Sequence, residues 1–292
     1  MMRSILQTVQ NRLKTYWKLT KSLQTGLLLL TGLAGYMSAR CPVITWRTLL
    51  ALAGSLFMAI SGSTVLNMVY DRDIDAKMER TCNRPLPVGL IHEVEAGVLG
   101  TGLGILGVGW AFLLSPLYGA VVFTGLFLDV VVYTMWLKRK TAWSIVWGGI
   151  AGGMPILAGR ALGLGQIDWV GLVLASAVLF WIPTHILTFT LRYKTDYQRC
   201  GIPTFPSQYG EQKTQWAIAF SSVAASLTMG IAAYGIGMTW GYMRLLAVLS
   251  SGLFFLALTS VIRPSQTLNF GLFKFASLYM LSSMVLLLVE TI

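Results

Sequence analysis

Acidic residues are scarce in this sequence, 11 of 292, and charged residues of both signs make up only 11%. Soluble domains carry about 25% charged residues, so a chain wetted over its whole surface is excluded. Histidine is scarcer still: His92 and His185 are the only two, which supplies bis-histidine haem ligation poorly. The three cysteines, Cys41, Cys82 and Cys200, show no CxxC or metal-ligand spacing and no disulfide framework. No cleavable signal-peptide pattern opens the chain.

What the sequence has instead is apolar residues, 55% of the total, gathered into segments near 20 residues long. This pattern predicts an all-α polytopic membrane protein. Nine spans are expected, at about 22–39, 48–70, 94–114, 117–137, 142–159, 169–191, 215–238, 243–262 and 270–289. The third and fourth meet in a tight turn at Ser115-Pro116. The division is a basic segment, 1–21, and a membrane domain, 22–292. Residues 1–21 hold Arg3, Arg12, Lys14, Lys18 and Lys21 with no acid, which suits an interfacial helix on anionic lipid.

The formal charge of +11 does not point to nucleic acid. The basic residues sit between the apolar runs, where the positive-inside bias accounts for them. With the N-terminus inside, 18 of the 22 fall on the cytoplasmic face, leaving Arg40, Arg47, Arg160 and Arg244 opposite. Glycines at 100, 104 and 107, and at 148, 149, 152 and 153, suit close packing of helices.

Two polar segments interrupt the pattern, at about 67–93 and 192–214, four helices apart and therefore on one face. The first concentrates six of the 11 acids between Asp71 and Glu95. Acids beside lipid-facing sequence are costly unless something binds there. Asn67, Asp71 and Asp75 recur at i, i+4 and i+8, within about 80° of one another on a helix. Such oxygen ligands suit Mg²⁺, which one or two carboxylates hold together with substrate phosphates. A solvated helix end of mixed charge is the plainer alternative, but it leaves Asn67, a turn deeper in apolar sequence, without a reason. Asp73 points elsewhere on that helix.

Asp196, in LRYKTDYQRCGIP, is the candidate for the facing ligand; a lone aspartate in a basic loop is otherwise a salt-bridge partner. Cys200 stands at i+4, where a second acid would complete a pair. Arg72, Arg84, Lys138, Arg139, Lys194 and Arg199 are candidates to stabilise a departing diphosphate. Tyr70 and Tyr193 are candidates to stabilise a cation in the cavity through their π faces. His185, two residues after Pro183, fits a ligand contact, for example to haem, or a hydrogen-bonded packing role. Asp129 faces the same choice, and His92 reads as a surface residue.

The run NMVYDRDIDAKMERTCNRPLP at 67–87 resembles the first aspartate-rich motif of the UbiA superfamily of intramembrane prenyltransferases. Within it the similarity is greatest to the haem O synthase (protohaem IX farnesyltransferase) branch. Further similar stretches follow in order: LTKSLQTGLLLLTGLAGY at 19–36, YTMWLKRKTAWSIVWGGIAGGMP at 133–155, WIPTH at 181–185 and LRYKTDYQRCGIPTFP at 191–206. The resemblance implies nine helices around a central cavity, with both motifs over its cytoplasmic mouth. It implies farnesyl diphosphate as donor, haem B as acceptor and Mg²⁺ as cofactor. Asn67, Asp71 and Asp75 take the first-motif roles, and the pair Asp196-Tyr197 takes the second. His185, Tyr70, Tyr193 and Tyr197 fall to the acceptor and cavity. A multi-pass protein of a prokaryotic inner membrane is implied, with terminal oxidase assembly proteins as possible partners.

Departures from the pattern are concrete. Lys21-Ser22-Leu23 stands for a Lys-Pro-Arg triplet, Ile156 and Arg160 for a proline and a tryptophan, and Ile186-Leu187 for an aromatic pair. These lie nearer the acceptor than the diphosphate. Two other readings follow: a related prenyltransferase acting on a quinone precursor, chlorin or lipid alcohol, and an ion-coupled transporter. The transporter reading expects acids at the membrane midplane, whereas these cluster at one surface.

Overall fold

The computed structural model describes residues 2–40 and 45–290; Cys41 and the side chains of 2–6, 8, 9 and 11, Arg3 among them, lie outside the description. Among the described residues the regular elements are all helical: α1 (Met2–Leu19), α2 (Ser22–Ser38), α3 (Trp46–Tyr70), α4 (Arg72–Asp75), α5 (Glu93–Leu114) and α6 (Pro116–Phe127). A π-helical segment, Leu128–Leu137, continues α6. Then come α7 (Ser144–Leu164), α8 (Trp169–Arg192), α9 (Lys194–Arg199), α10 (Phe205–Tyr209), α11 (Glu211–Ile236), α12 (Trp240–Ile262) and α13 (Gln266–Val289).

Local chemistry sets these limits. The side chains of Thr45, Asp168 and Ser265 accept hydrogen bonds from the amides of Thr48, Gly171 and Leu268, capping α3, α8 and α13. Pro116 opens α6, where its missing N–H costs nothing. Left-handed Gly165 and Gly237 close α7 and α11.

Among the described residues, eight helices are long and apolar enough to cross a membrane: α3, α5, Pro116–Leu137, α7, α8, α11, α12 and α13. Nine were expected. The difference is α2, whose 17 residues rise about 25 Å against a hydrocarbon core of about 30 Å. It begins only after Lys21, a left-handed residue (φ 45°), and ends before Arg40, another (φ 51°). The second difference lies in the expected span 117–137, whose C-terminal half is π-helical and not α-helical.

Successive spans are neighbours, and α13 returns to pack on α2 and α8. Two crossings require glycine. A Cβ on Gly159 would lie 1.9 Å from the Gly32 carbonyl oxygen, and one on Gly35 2.0 Å from that of Ile156, so α2 and α7 meet backbone to backbone. Gly62 and Gly107 allow the same approach of α3 to α5, at 2.5 Å from the Gly104 amide and 2.3 Å from that of Ala59. Of these four only Gly107 stood out in sequence. Helix α1 is anchored at its end: Trp17 stacks on Phe57 of α3, and the Tyr16 hydroxyl bonds Glu95 of α5.

A buried ion pair ties the end of the fold remote from the aspartate-rich segment. Arg160 of α7, 7% exposed, donates to both carboxylate oxygens of Asp168 at 2.8 Å and to the Ser38 carbonyl at 2.6 Å. The Arg160 guanidinium holds the Asp168 carboxyl below its ordinary range, against the opposing effect of burial.

Candidate active site

A cavity of about 760 Å³ runs between α2, α3, the π-helical segment, α7, α8 and α13. Its body is apolar, lined by side chains such as Leu30, Leu56, Ile60, Ile182 and Met284. One end is polar, and the residues there come from α3, α4 and the segments after the π helix and α8. Asn67, Asp71 and Asp75 all line this end. Helical hydrogen bonds run unbroken through them, from the Asp71 amide to the Asn67 carbonyl (3.0 Å) and from Asp75 to Asp71 (2.8 Å). The i, i+4, i+8 register therefore survives the junction of α3 with α4.

Each first-motif ligand candidate is held by a partner. The Lys138 ammonium bonds Asp71 Oδ2, and Arg84 Nη1 bonds Asp75 Oδ2 at 2.6 Å. Asn67 Nδ2 donates to Asp129 (2.8 Å), and its Oδ1 accepts from the Thr134 hydroxyl (2.8 Å). Asp71 and Asp75 are 6% and 5% exposed. Asp71 Oδ1 is buried with no hydrogen-bond partner among the described residues, an arrangement that costs free energy unless a ligand completes it. Burial works against the charge of Lys138, but the Tyr133 phenol and the Asp71 carboxylate hold its pKa above the ordinary lysine value.

The basic candidates divide. Arg84 and Lys138 line the cavity, whereas Arg72 pairs with Glu93 (2.7 Å) and Arg139 grips Asp73 through two bonds (2.7 and 2.9 Å). Both arginines face a separate groove on the outer side of α3 and α4. Lys194 pairs with Glu211 and Arg199 with Glu79, away from the cavity. Two further cations do line it. Lys21 stands half-buried before α2, and Arg80 lies over the Phe189 ring at 4.7 Å. Burial, with Arg84 and Lys138 close by, pushes the Lys21 ammonium down to about 8. Lys21 was legible as the surviving member of the Lys-Pro-Arg triplet; Arg80 carried no signal beyond its place in the first motif.

Asp196 is 8% exposed in α9 and its carboxylate makes no hydrogen bond or ion pair among the described residues. Tyr197 beside it lines the cavity; Asp196 does not. The two polar segments meet here: Ile74 and Met78 pack on Ile202, Tyr197 and Cys200. Burial pushes the Cys200 thiol up, so it stays protonated. Among the described residues, no three His, Cys, Asp or Glu side chains converge as a metal cluster. Tyr70 and Tyr193 stay out of the cavity: the Tyr70 hydroxyl bonds the Met135 carbonyl, and Tyr193 packs on Phe189. The cavity aromatics are Tyr133, Trp181, Phe189, Tyr197, Phe205 and Phe273. His185 lines it too, stacked between Trp181 and Phe273 with ring centroids at 5.0 and 4.3 Å, and shares a hydrogen bond with Ser277.

The sequence profile of the UbiA prenyltransferase family matches residues 28–280. The chain belongs to that family. It is similar to protoheme IX farnesyltransferase of Archaeoglobus fulgidus, 40% identical over 269 residues that span 91% of this chain and 94% of the relative. Among solved structures, a digeranylgeranylglyceryl phosphate synthase superposes with a TM-score of 0.80 at 20% identity, covering 96% of this chain and 99% of that one. A UbiA homologue from Archaeoglobus fulgidus, bound to GPP and Mg2+, superposes with a TM-score of 0.69 at 14% identity, over 94% and 99%. Those likenesses establish the UbiA-type all-α membrane fold, and family membership makes the chain a prenyltransferase in kind.

Proposed function

We propose that this UbiA-family protein is a protohaem IX farnesyltransferase, moving a farnesyl group from farnesyl diphosphate to a vinyl group of haem B to give haem O. The observation that carries the donor half is Asp71: a buried carboxylate oxygen without a partner, beside Asn67 and Asp75, at the polar mouth of an apolar cavity. The acceptor half rests on the similarity to a named protoheme IX farnesyltransferase over 91% of the chain.

Asn67, Asp71 and Asp75 fit Mg²⁺: they are hard oxygen donors, and a site with two carboxylates leaves coordination positions for substrate phosphates. Bound there, Mg²⁺ supplies Lewis-acid stabilisation of the diphosphate. Lys21, Arg80, Arg84 and Lys138 are the cations placed to take up charge as the allylic C–O bond breaks and its electron pair leaves with the diphosphate. Arg72, Arg139, Lys194 and Arg199, each engaged with a carboxylate, shape the segments around the mouth. The apolar walls exclude water from the farnesyl cation while the vinyl π electrons form the new C–C bond. Water then captures the porphyrin-side cation and loses a proton. The flat stack of Trp181, His185 and Phe273 suits a planar acceptor. Tyr197 completes the mouth from the second segment, with Asp196 buried beside it and off the cavity wall.

The same reading counts α2 as a ninth pass, since 17 residues is the lower limit for a tilted or locally thinned span. It makes the cavity central to those nine, sets 1–21 at the interface, and puts both polar segments on the cytoplasmic side of a prokaryotic membrane, as the basic-residue asymmetry supports. Purified protein incubated with farnesyl diphosphate, Mg²⁺ and haem B is expected to yield haem heavier by a farnesyl group plus a hydroxyl in a mass spectrum. Unchanged haem alongside prenylation of a quinone precursor would move the acceptor to the related reading.

Lys21 gives this reading a pH signature. Below about pH 8 its ammonium is charged and attracts diphosphate; above it the free enzyme loses that charge. The kcat/KM for farnesyl diphosphate is expected to fall as pH rises through 8. In Lys21→Arg, whose cation persists, the fall should move to higher pH. Superimposable pH profiles for the two proteins would remove Lys21 from the donor site.

A further inference from the structure

Asp129 is an acid inside a membrane-spanning segment, and nothing in the proposed chemistry uses it. It sits on the π-helical segment Leu128–Leu137, half-buried at the cavity wall. Its Oδ2 accepts from Ser63 Oγ at 2.5 Å and from Asn67 Nδ2 at 2.8 Å. The π-helix makes this possible. Residues five apart diverge by about 140° on an α-helix, whereas i→i+5 bonding stacks them. Asp129 and Thr134 therefore both reach Asn67, one at each end of its carboxamide.

The two partners are not equivalent. The Thr134 hydroxyl can donate or accept, so it would serve either orientation of the amide. The Asp129 oxygen, already accepting from Ser63, would meet Asn67 Oδ1 oxygen to oxygen if the amide turned over. Asp129 alone decides which way the carboxamide points.

From this we infer that Asp129 is a positioning residue, locking Asn67 with Oδ1 as the atom left to serve Mg²⁺ and the diphosphate. The inference rests on the donor half of the proposed function and is independent of the acceptor. Partners behind a metal ligand typically contribute 10–100-fold to metal affinity.

The test is binding without turnover: the Mg²⁺ concentration that half-maximally raises the melting temperature of the purified protein in the presence of farnesyl thiodiphosphate, a non-reacting donor analogue. Asp129→Asn, which can present either end of its own amide, is expected to raise that concentration by about tenfold or more. Thr134→Val should raise it less. The exchange variant Asn67→Asp/Asp129→Asn rebuilds the hydrogen bond with its polarity reversed and leaves a ligand oxygen at 67, so it should return toward the wild-type value. Should Asp129→Asn not fold, the exchange variant against Thr134→Val carries the comparison. An Asp129→Asn value equal to wild type, a larger shift in Thr134→Val, or an exchange variant no better than Asp129→Asn overturns the inference. Wild-type protein that ignores Mg²⁺ overturns the donor reading together with it.

Discussion

Asp71→Ala is expected to lower prenyl transfer by about 10³-fold or more while the protein stays folded in detergent. Two effects compete in this variant. Loss of a single preorganised hydrogen-bond donor from a transition state costs about 10²–10³-fold in turnover; Asp71 supplies both a negative charge and the unpaired oxygen, so its loss should cost at least as much. Loss of an ion-pair partner in a sealed interior would cost about 3–5 kcal/mol of stability. Lys138, however, is 23% exposed in its side chain and borders an open cavity. Water can take up its ammonium, so the stability cost should fall near the ~1 kcal/mol of part-exposed pairs. Turnover and melting temperature measured on the same sample separate the two. A folded Asp71→Ala protein that keeps turnover within tenfold of wild type sinks the assignment of this site.

Arg160→Leu should do the reverse, destabilising the protein while sparing its chemistry. Arg160 does not line the cavity, and its four hydrogen bonds go to Asp168 and Ser38. Its side chain is 8% exposed and that of Asp168 19%, so removal of the arginine strands a largely buried carboxylate. The expected loss is about 3–5 kcal/mol, a drop in melting temperature on the order of 10 °C. Adding Asp168→Asn removes the stranded charge and keeps an amide oxygen to cap α8, so the double variant should recover much of the loss. Normal turnover per folded molecule is expected throughout. Lost turnover at an unchanged melting temperature would instead place position 160 in the acceptor pocket.

The two variants show where reading residues in order succeeds. The α3–α4 register made Asn67, Asp71 and Asp75 legible, because helical periodicity is a property of the chain alone. The basic residues were harder. Composition marked them all as one class, and only their place in the fold sorts them: Arg72, Arg139, Lys194 and Arg199 meet carboxylates outside the cavity, while Lys21, Arg80, Arg84 and Lys138 line it. Tyr70 and Tyr193 failed as cavity residues for the same reason. Adjacency to a motif does not say which side of the helix end faces the cavity. Arg160 stood out in sequence as a departure, yet its bonding to Asp168 and Ser38 depends on α2, α7 and α8 meeting.

By itself the sequence determined that this is a polytopic helical membrane protein of the UbiA family with a first motif of one carboxamide and two carboxylates. Hydropathy and periodicity act within a single helix, and a polar run in an otherwise apolar chain is visible without neighbours. Only the tertiary structure decided that α2 is a short helix joined backbone to backbone with α7, and that Asp71 keeps one oxygen unpaired. It alone decided that a π-helical turn brings Asp129 and Thr134 to the two ends of Asn67. Each of these depends on which groups from distant parts of the chain come within hydrogen-bonding or contact distance, and no local pattern encodes that.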